Sequence, residues 1–466
     1  RASLFLLGKG ELPMSVETAR AEVRLGVLAL AWPAIIENIL HMGVGIADVV
    51  MVGKLGKEAI ASVDLANTLV HFSLAVFAAI TVGTTALVAR HTGAKEWDEA
   101  REIARQSIKL LVLMALVLGA GGVMFGERLI RLMMVLDSSP DGRVVLLGGQ
   151  YLKIVSYASP FSLGVLGINA VLRGAGDTKT PMIVTGIANV LNIILNYVFI
   201  FGMGVIPPMG VPGAALASAI SRTVGGVLAL WVLFSERCPV NLRITDDYRW
   251  NSAVLKRIVG VGAPAAIEQV IMRGGQLGYG LIVAGLGTVA MASHAVSLTA
   301  ESLSYMPGFG FALAATTLVG QGLGAERPDL AEQSGLVAAR SAASIMGLLG
   351  IALFLFPQQL VGLFTKDPQV IELASVCLRI VAVSQPALAV VMVMAGALRG
   401  AGDTRRVMVV TVAGIWGVRL TLAYFLSYGL GWGLVGAYLA MIADLFLRSA
   451  LLYRSFSMGH WKTLKL

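Results

Sequence analysis

The chain has 466 residues, of which 57% are hydrophobic and 14% charged, and its mean hydropathy is +0.80. Soluble domains carry about 25% charged residues, so this composition excludes a soluble globular domain and indicates an integral membrane protein. The formal net charge of +9 does not indicate a nucleic-acid partner, because the Lys and Arg gather in loops between apolar runs and not along one basic stripe with aromatics.

The apolar runs are around 20 residues long and lack the period-2 alternation of a membrane barrel, so the spans are helices. A short polar and basic lead over residues 1–24 precedes the first run. That run is too long and too proline-bearing for a signal peptide, so no cleaved leader is expected. Spans are predicted near 25–52, 59–88, 107–126, 144–172, 182–202 and 214–234 in the first half. They recur near 258–285, 288–319, 341–356, 369–398, 407–428 and 434–453. The fold class is therefore all-α integral membrane, with about twelve transmembrane helices in two six-helix lobes.

The halves are a duplication. Leu172-Arg173-Gly174-Ala175-Gly176-Asp177-Thr178-Lys179 returns as Leu398-Arg399-Gly400-Ala401-Gly402-Asp403-Thr404-Arg405, after roughly 230 residues. Pro33-Ala34-Ile35-Ile36-Glu37-Asn38 returns as Pro264-Ala265-Ala266-Ile267-Glu268-Gln269, and Gly56, Ala61-Ser62 and Gly93-Ala94 match Gly287, Ala292-Ser293 and Gly324-Ala325. Six spans per half place both copies in the membrane the same way round, so the pseudo-two-fold axis runs along the membrane normal. The expected domains are an N-lobe over 1–235, a cytoplasmic linker over 236–257 and a C-lobe over 258–466. Residues 90–106 and 320–334 read as surface helices lying along the inner face.

Loop charges give orientation. Arg90, Lys95, Arg101, Arg105 and Lys109 follow the second span, and Arg173 and Lys179 the fourth; Arg237, Arg243, Arg249, Lys256 and Arg257 lie in the linker, and Arg399, Arg405 and Arg406 after the tenth span. The opposite loops hold little beyond Lys54, Lys57, Arg128, Arg131, Arg143 and Lys366. A multi-pass protein of the cytoplasmic (inner) membrane with both termini cytoplasmic is expected, and the repeated turns then face the cytoplasm.

No GxxxxGK[ST] loop occurs, and the glycines of Gly431-Trp432-Gly433-Leu434-Val435-Gly436 join two spans without a strand before them, so neither an ATP motor nor a dinucleotide site is expected. HExxH and GxSxG are absent, and no paired catalytic constellation stands in their place, which argues against an enzyme. Cys238 and Cys377 have no metal-ligand spacing, and neither reads as functional. No cofactor is expected.

Ionisable residues inside a bilayer are costly and point into a cavity or at a partner. In the first span Pro33, Glu37, His41 and Asp48 share a face. Glu37 and Asp48 are about 16 Å apart along the axis, so they do not hold one ion together. Glu37 and His41, one turn apart, fit either a satisfied pair or a functional one. Asp48 is the stronger candidate, since its polar neighbours must come from other spans: Asn192 and Asn196 on the fifth and Ser218 on the sixth. A carboxylate, carboxamide oxygens and a hydroxyl suit a hard cation such as Na⁺, and plain interhelical hydrogen bonding is the alternative. The second span places Asp64, Asn67 and His71 on one face, with Asp64 fitting the outer interface. In the second half Glu268 and Tyr279 share a face, as do His294, Glu301 and Tyr305; acids with aromatics and methionines (Met272, Met306, Met392, Met394) fit an adaptable pocket for organic cations.

In this order the duplicated turns, the Pro33 helix with Asp48 and Val52-Gly53-Lys54-Leu55-Gly56, Asn192 before Phe199-Ile200-Phe201-Gly202, and Gly210 to Ser218 resemble the multidrug and toxic compound extrusion (MATE) family over nearly the whole chain. The resemblance implies two six-helix bundles exporting amphipathic, often cationic compounds against Na⁺ or H⁺ entry, with membrane lipids and those substrates as partners and a monomer as the working unit. Within the family the chain is most similar to the DinF-like branch. There Asp48 matches the N-lobe acid, Asn192 and Ser218 its polar neighbours, and Pro33 the proline at which the first helix bends. That branch commonly has a second acid where this chain has Asn196, which leaves the coupling ion open. Asp48, Asn192, Asn196 and Ser218 are thus the expected cation or proton site, with Na⁺ a candidate at Asp48, Asn192 and Asn196. Glu37, His41, Glu268, Tyr279, Glu301 and Tyr305 are the expected substrate cavity. The alternative is a flippase for a lipid-linked glycan precursor, its pyrophosphate held by intramembrane bases such as Lys153, Arg222, Arg273, Arg379 and Arg419.

Overall fold

The computed structural model describes residues 16–134, 142–236, 238–243 and 245–464, without the side chains of 16–20 and 72–76. Arg237 and residues 1–15 of the polar lead lie outside the described residues. Among the described residues there is no strand beyond one isolated bridge, Met203 to Ile206, as expected where hydrocarbon leaves each backbone group only its own helix to bond with.

The first half holds α1 (Val16–Gly53), α2 (Lys57–Gly93), α3 (Trp97–Met133), α4 (Gly142–Tyr157), α5 (Ser159–Gly174), α6 (Lys179–Phe201) and α7 (Val211–Phe234). The second holds α8 (Ser252–Ala284), α9 (Thr288–Gly324), α10 (Pro328–Leu355), the short α11 (Pro357–Gly362), α12 (Pro368–Gly400), α13 (Thr404–Val412), α14 (Thr421–Tyr424) and α15 (Gly433–Ser457). Two π segments, 413–420 and 425–429, join α13 and α14 into one rod spanning Thr404–Gly429.

Among the described residues nine helices are long and apolar enough to cross a membrane, and α4 with α5, bent by 56°, make a tenth if the pair is one span. Pro160, in the first turn of α5, explains that break, because it supplies no N–H to continue α4. The more polar α2 and α8, 37 and 33 residues long, bring the described helices of membrane length to the twelve expected from the sequence. The surface helices expected at 90–106 and 320–334 are not separate elements. The α2 helix runs on to Gly93 and α3 begins at Trp97, while α9 runs to Gly324 and α10 begins at Pro328, so the polar turns extend the spans.

The duplication survives in backbone detail. Gly176 and Gly402 have φ of 90° and 87°. Asp177 N–H bonds Leu172 O and Asp403 N–H bonds Leu398 O, each at 2.8 Å. This is a glycine-ended helix stop in which the sixth residue closes on the first, and it explains the glycine at the fourth position of Arg-Gly-Ala-Gly. The other shared turn is less ordinary: Lys95 and Glu326 both take positive φ, 61° and 57°.

Two compact units emerge. Among the described residues, one comprises 16–35, 89–95 and 260–464, the other lies within 36–88 and 96–259. The break between 259 and 260 lies beside the start expected for the C-lobe at 258, whereas residues of α1 up to Ile35 and the turn at 89–95 group with the second half, because α1 changes packing partners between Ile35 and Ile36, just past the buried Pro33. In the first unit Val23, Val27, Leu30 and Ala31 pack into a core with Phe311, Leu318, Val393, Leu398 and Phe456. The second unit is centred on Val63, Ala66, Ile130, Leu152, Ile200 and Ala215.

Within the first unit the ends of α2 and α9 meet glycine to backbone. A Cβ on Gly93 would lie 2.0 Å from Gln321 O, and one on Gly324 would lie 1.8 Å from Arg90 O. The two contacts are each other's image under the repeat. Since neither neighbour is a flexible side chain, Gly324→Ala is expected to cost about 1–3 kcal/mol by overpacking. Thermal unfolding in detergent measures this, and a variant that melts with the wild type contradicts the packing account.

Candidate functional site

In the second unit four helices converge on Asp48. The α1 helix carries Asp48, α6 carries Asn192 and Asn196 one turn apart, α7 carries Ser218 and Ser221, and α4 carries Tyr151. The Asn196 amide donates to Asp48 Oδ1 and, at 3.1 Å, to Asn192 Oδ1. The Asn192 amide in turn donates to Ser218 Oγ at 3.4 Å and Ser221 Oγ at 3.3 Å. The buried phenol of Tyr151 lies beside Ser218 and Asn67. The four residues expected to form a coupling site are thus one continuous hydrogen-bonded chain.

Asp48 is half-buried, and among the described residues it has no ion-pair partner within 4 Å; Arg222 on α7 acts on it from farther off. The Oδ1 of Asn196, a residue 1% exposed, is buried without a hydrogen-bond partner among the described residues. One carboxylate and an unengaged amide oxygen therefore stand together, with hydroxyls a step away. No group of three or more His, Cys, Asp and Glu able to hold a metal occurs among the described residues, so a transition metal is not what this donor set fits. A proton on the carboxylate, or Na⁺ taking one carboxylate and neutral oxygens, does fit it.

The other first-span acid has a different role. Glu37 is not paired with His41: its Oε1 takes Arg173 Nη2 at 2.8 Å and Thr185 Oγ1 at 3.1 Å. Glu268 repeats this with Arg399 at 2.7 Å and Thr411 at 3.1 Å. In each half, then, the proline helix is clamped to the arginine of the repeated turn and to the helix that follows it. This corrects the expectation that Glu37 and Glu268 face a substrate cation, since each carboxylate is already closed on a guanidinium. Glu37→Gln and Glu268→Gln are expected to lower stability by about 1–3 kcal/mol. Thermal unfolding in detergent measures this, and variants that melt with the wild type contradict the clamp.

Of the other expected cavity residues, His41 is exposed on α1 and Tyr305 is half-buried, edge-on to Phe309 at 5.9 Å between centroids. Tyr279 is buried, its ring 5.4 Å from that of His294, whose Nδ1 lies 3.0 Å from the Tyr438 hydroxyl. Glu301, 6% exposed, accepts from Gln385 Nε2 at 3.3 Å, and Ser304 fixes that amide at 2.9 Å. Tyr279 and Glu301 thus belong to the polar interior of the first unit, whereas Glu37 and His41 lie in the second.

Sequence reasoning missed the most buried charge among the described residues. Asp444 on α15 is 0% exposed; its carboxylate takes Arg448 Nε and Nη2, both at 2.8 Å, and Arg419 Nη2 at 2.8 Å. The readable signal was an acid and a base one turn apart, Asp444 and Arg448, inside an apolar run. In the linker, burial pushes the Cys238 thiol up to about 11, which fits its reading as an inert residue.

The MatE family model matches residues 33–198 and 264–425 of this chain. Over 470 aligned positions the chain is 36% identical to the probable multidrug resistance protein NorM of Thermotoga maritima, covering 99% of this chain and 97% of that one. It is 27% identical to the uncharacterized transporter YisQ of Bacillus subtilis over 95% of this chain and 96% of the relative. Among solved structures the Vibrio cholerae MATE transporter VcmN aligns with a TM-score of 0.87 at 18% identity, over 96% of this chain and 100% of that one.

Proposed function

The chain belongs to the MatE family, and from that premise we propose that it is a multidrug exporter: a secondary active transporter that moves amphipathic organic cations out of the cell by alternating access, driven by entry of H⁺ or Na⁺ at Asp48. The multidrug resistance name of the Thermotoga relative supports the substrate class. The observation that carries the mechanism is Asp48 itself, an intramembrane carboxylate bonded to Asn196 and without an ion-pair partner among the described residues. Such a group is expensive to hold charged unless a cation comes and goes there. Glu37 and Glu268, each held through one carboxylate oxygen by an arginine and a threonine, serve as internal controls.

Of the bases that an anionic glycan head group needs, Arg222 is half-buried within electrostatic reach of Asp48. Arg419 is closed on Asp444, and Lys153, Arg273 and Arg379 are exposed. This favours the exporter over the flippase. Reconstitution into sealed vesicles, with pH and sodium gradients imposed separately, tests the reading. Substrate is expected to accumulate when one of the two gradients is applied, and accumulation indifferent to both overturns it.

A further inference from the structure

In the second unit α3, α7 and the linker line a groove of ≈ 300 Å³. Its body is apolar: Leu113, Leu116 and Phe234 line it while remaining 49%, 53% and 41% exposed, and Leu230 continues the wall. Its end is different, with Lys109, Arg105, Tyr248 and Trp250 at the rim. An apolar trough closed at one end by bases and aromatics matches a lipid, whose chains are apolar and whose head is charged.

The rim bases are not equivalent. Arg105 is held by Glu102 and lies 3.7 Å from Asp246, so its charge is already answered within the protein. Lys109 instead donates to the carbonyls of Tyr248, at 2.9 Å, and Arg249, at 2.7 Å, and sits 4.8 Å from the centroid of the Trp250 ring. An ammonium has three donors, and those carbonyls are neutral, so one donor and the net charge of Lys109 remain for a ligand. Glu102 and Asp247 are the acids within electrostatic reach of Lys109, and Arg105 the base. Across linker residues 236–257 five bases oppose three acids, a balance that favours an anionic head over a zwitterionic one.

We propose that this groove binds one anionic phospholipid, its phosphate on Lys109 and an acyl chain along Leu113, Leu116, Leu230 and Phe234. The lipid would then fasten the linker to α3, because Lys109 already ties the Tyr248–Arg249 backbone there.

The test is native mass spectrometry of the purified full chain titrated with phosphatidylglycerol, phosphatidylcholine or inorganic phosphate. Phosphatidylglycerol is expected to be retained about fivefold more than phosphatidylcholine, the preference that one lysine at a membrane surface confers. Lys109→Gln is expected to abolish that preference while still binding lipid. Leu116→Trp fills the trough, keeps Lys109 and is expected to lose both lipids, so the proposal stays testable even if Lys109→Gln fails to fold. Equal retention of the two lipids by the wild type, an unchanged preference in Lys109→Gln, unchanged retention in Leu116→Trp, or displacement of the lipid by inorganic phosphate at equal concentration would each overturn the proposal.

Discussion

Asp444→Ala is expected to destabilise the protein by about 3–5 kcal/mol, a large share of the 5–15 kcal/mol by which folded proteins are typically stable. The wild-type carboxylate is fully buried and takes hydrogen bonds from two guanidiniums, Arg448 with its side chain 7% exposed and Arg419 with 16%. Without it two positive charges face each other at membrane depth, uncompensated. The site is built around that carboxylate: a Cβ on Gly414 would lie 2.3 Å from Asp444 Oδ1, so glycine is needed where the π segment passes. Asp444→Asn keeps an acceptor and is expected to lose less. Melting temperature and the monodisperse fraction on size exclusion measure both variants, and Asp444→Ala behaving as wild type would contradict this reading.

The second large effect is on activity. Asp48→Asn should reduce drug efflux from cells to the background of cells lacking the protein while the melting temperature changes little. Asparagine keeps an oxygen for the Asn196 amide, so the hydrogen-bonded chain from Asp48 to Ser218 persists and the fold loses at most about 1 kcal/mol. What disappears is the one group in that chain able to gain and release a cation. Asn196→Ala is expected to be milder, because Asp48 keeps its charge and loses an amide donor. Efflux from Asp48→Asn cells equal to the wild type would remove Asp48 from the mechanism.

Much of this was legible in the residues. Twelve apolar runs and the repeated Arg-Gly-Ala-Gly-Asp-Thr turn fix the number of helices and the duplication, because hydrocarbon thickness and glycine's access to positive φ leave few alternatives. The polar face of α6 likewise pointed to Asn192 and Asn196 as partners of Asp48. The clamps did not read out. Glu37 lies one turn from His41 in sequence, yet bonds Arg173, 136 residues away; helix periodicity reports which residues share a face and says nothing about which distant helix supplies the countercharge. Asp444 was overlooked for the same reason, and the supposed surface helices were overread because charged turns at the end of a long span have the same composition as a helix lying on the membrane.

The coupling claim is tested most directly in vesicles that hold purified Asp48→Asn or wild-type protein, by comparing substrate exchange at equal concentrations on both sides with substrate accumulation driven by an imposed cation gradient. The account predicts that the variant still exchanges substrate but fails to accumulate it, because its lobes still move while no cation drives them. Accumulation by Asp48→Asn at the wild-type level, under the gradient that drives the wild type, would contradict it.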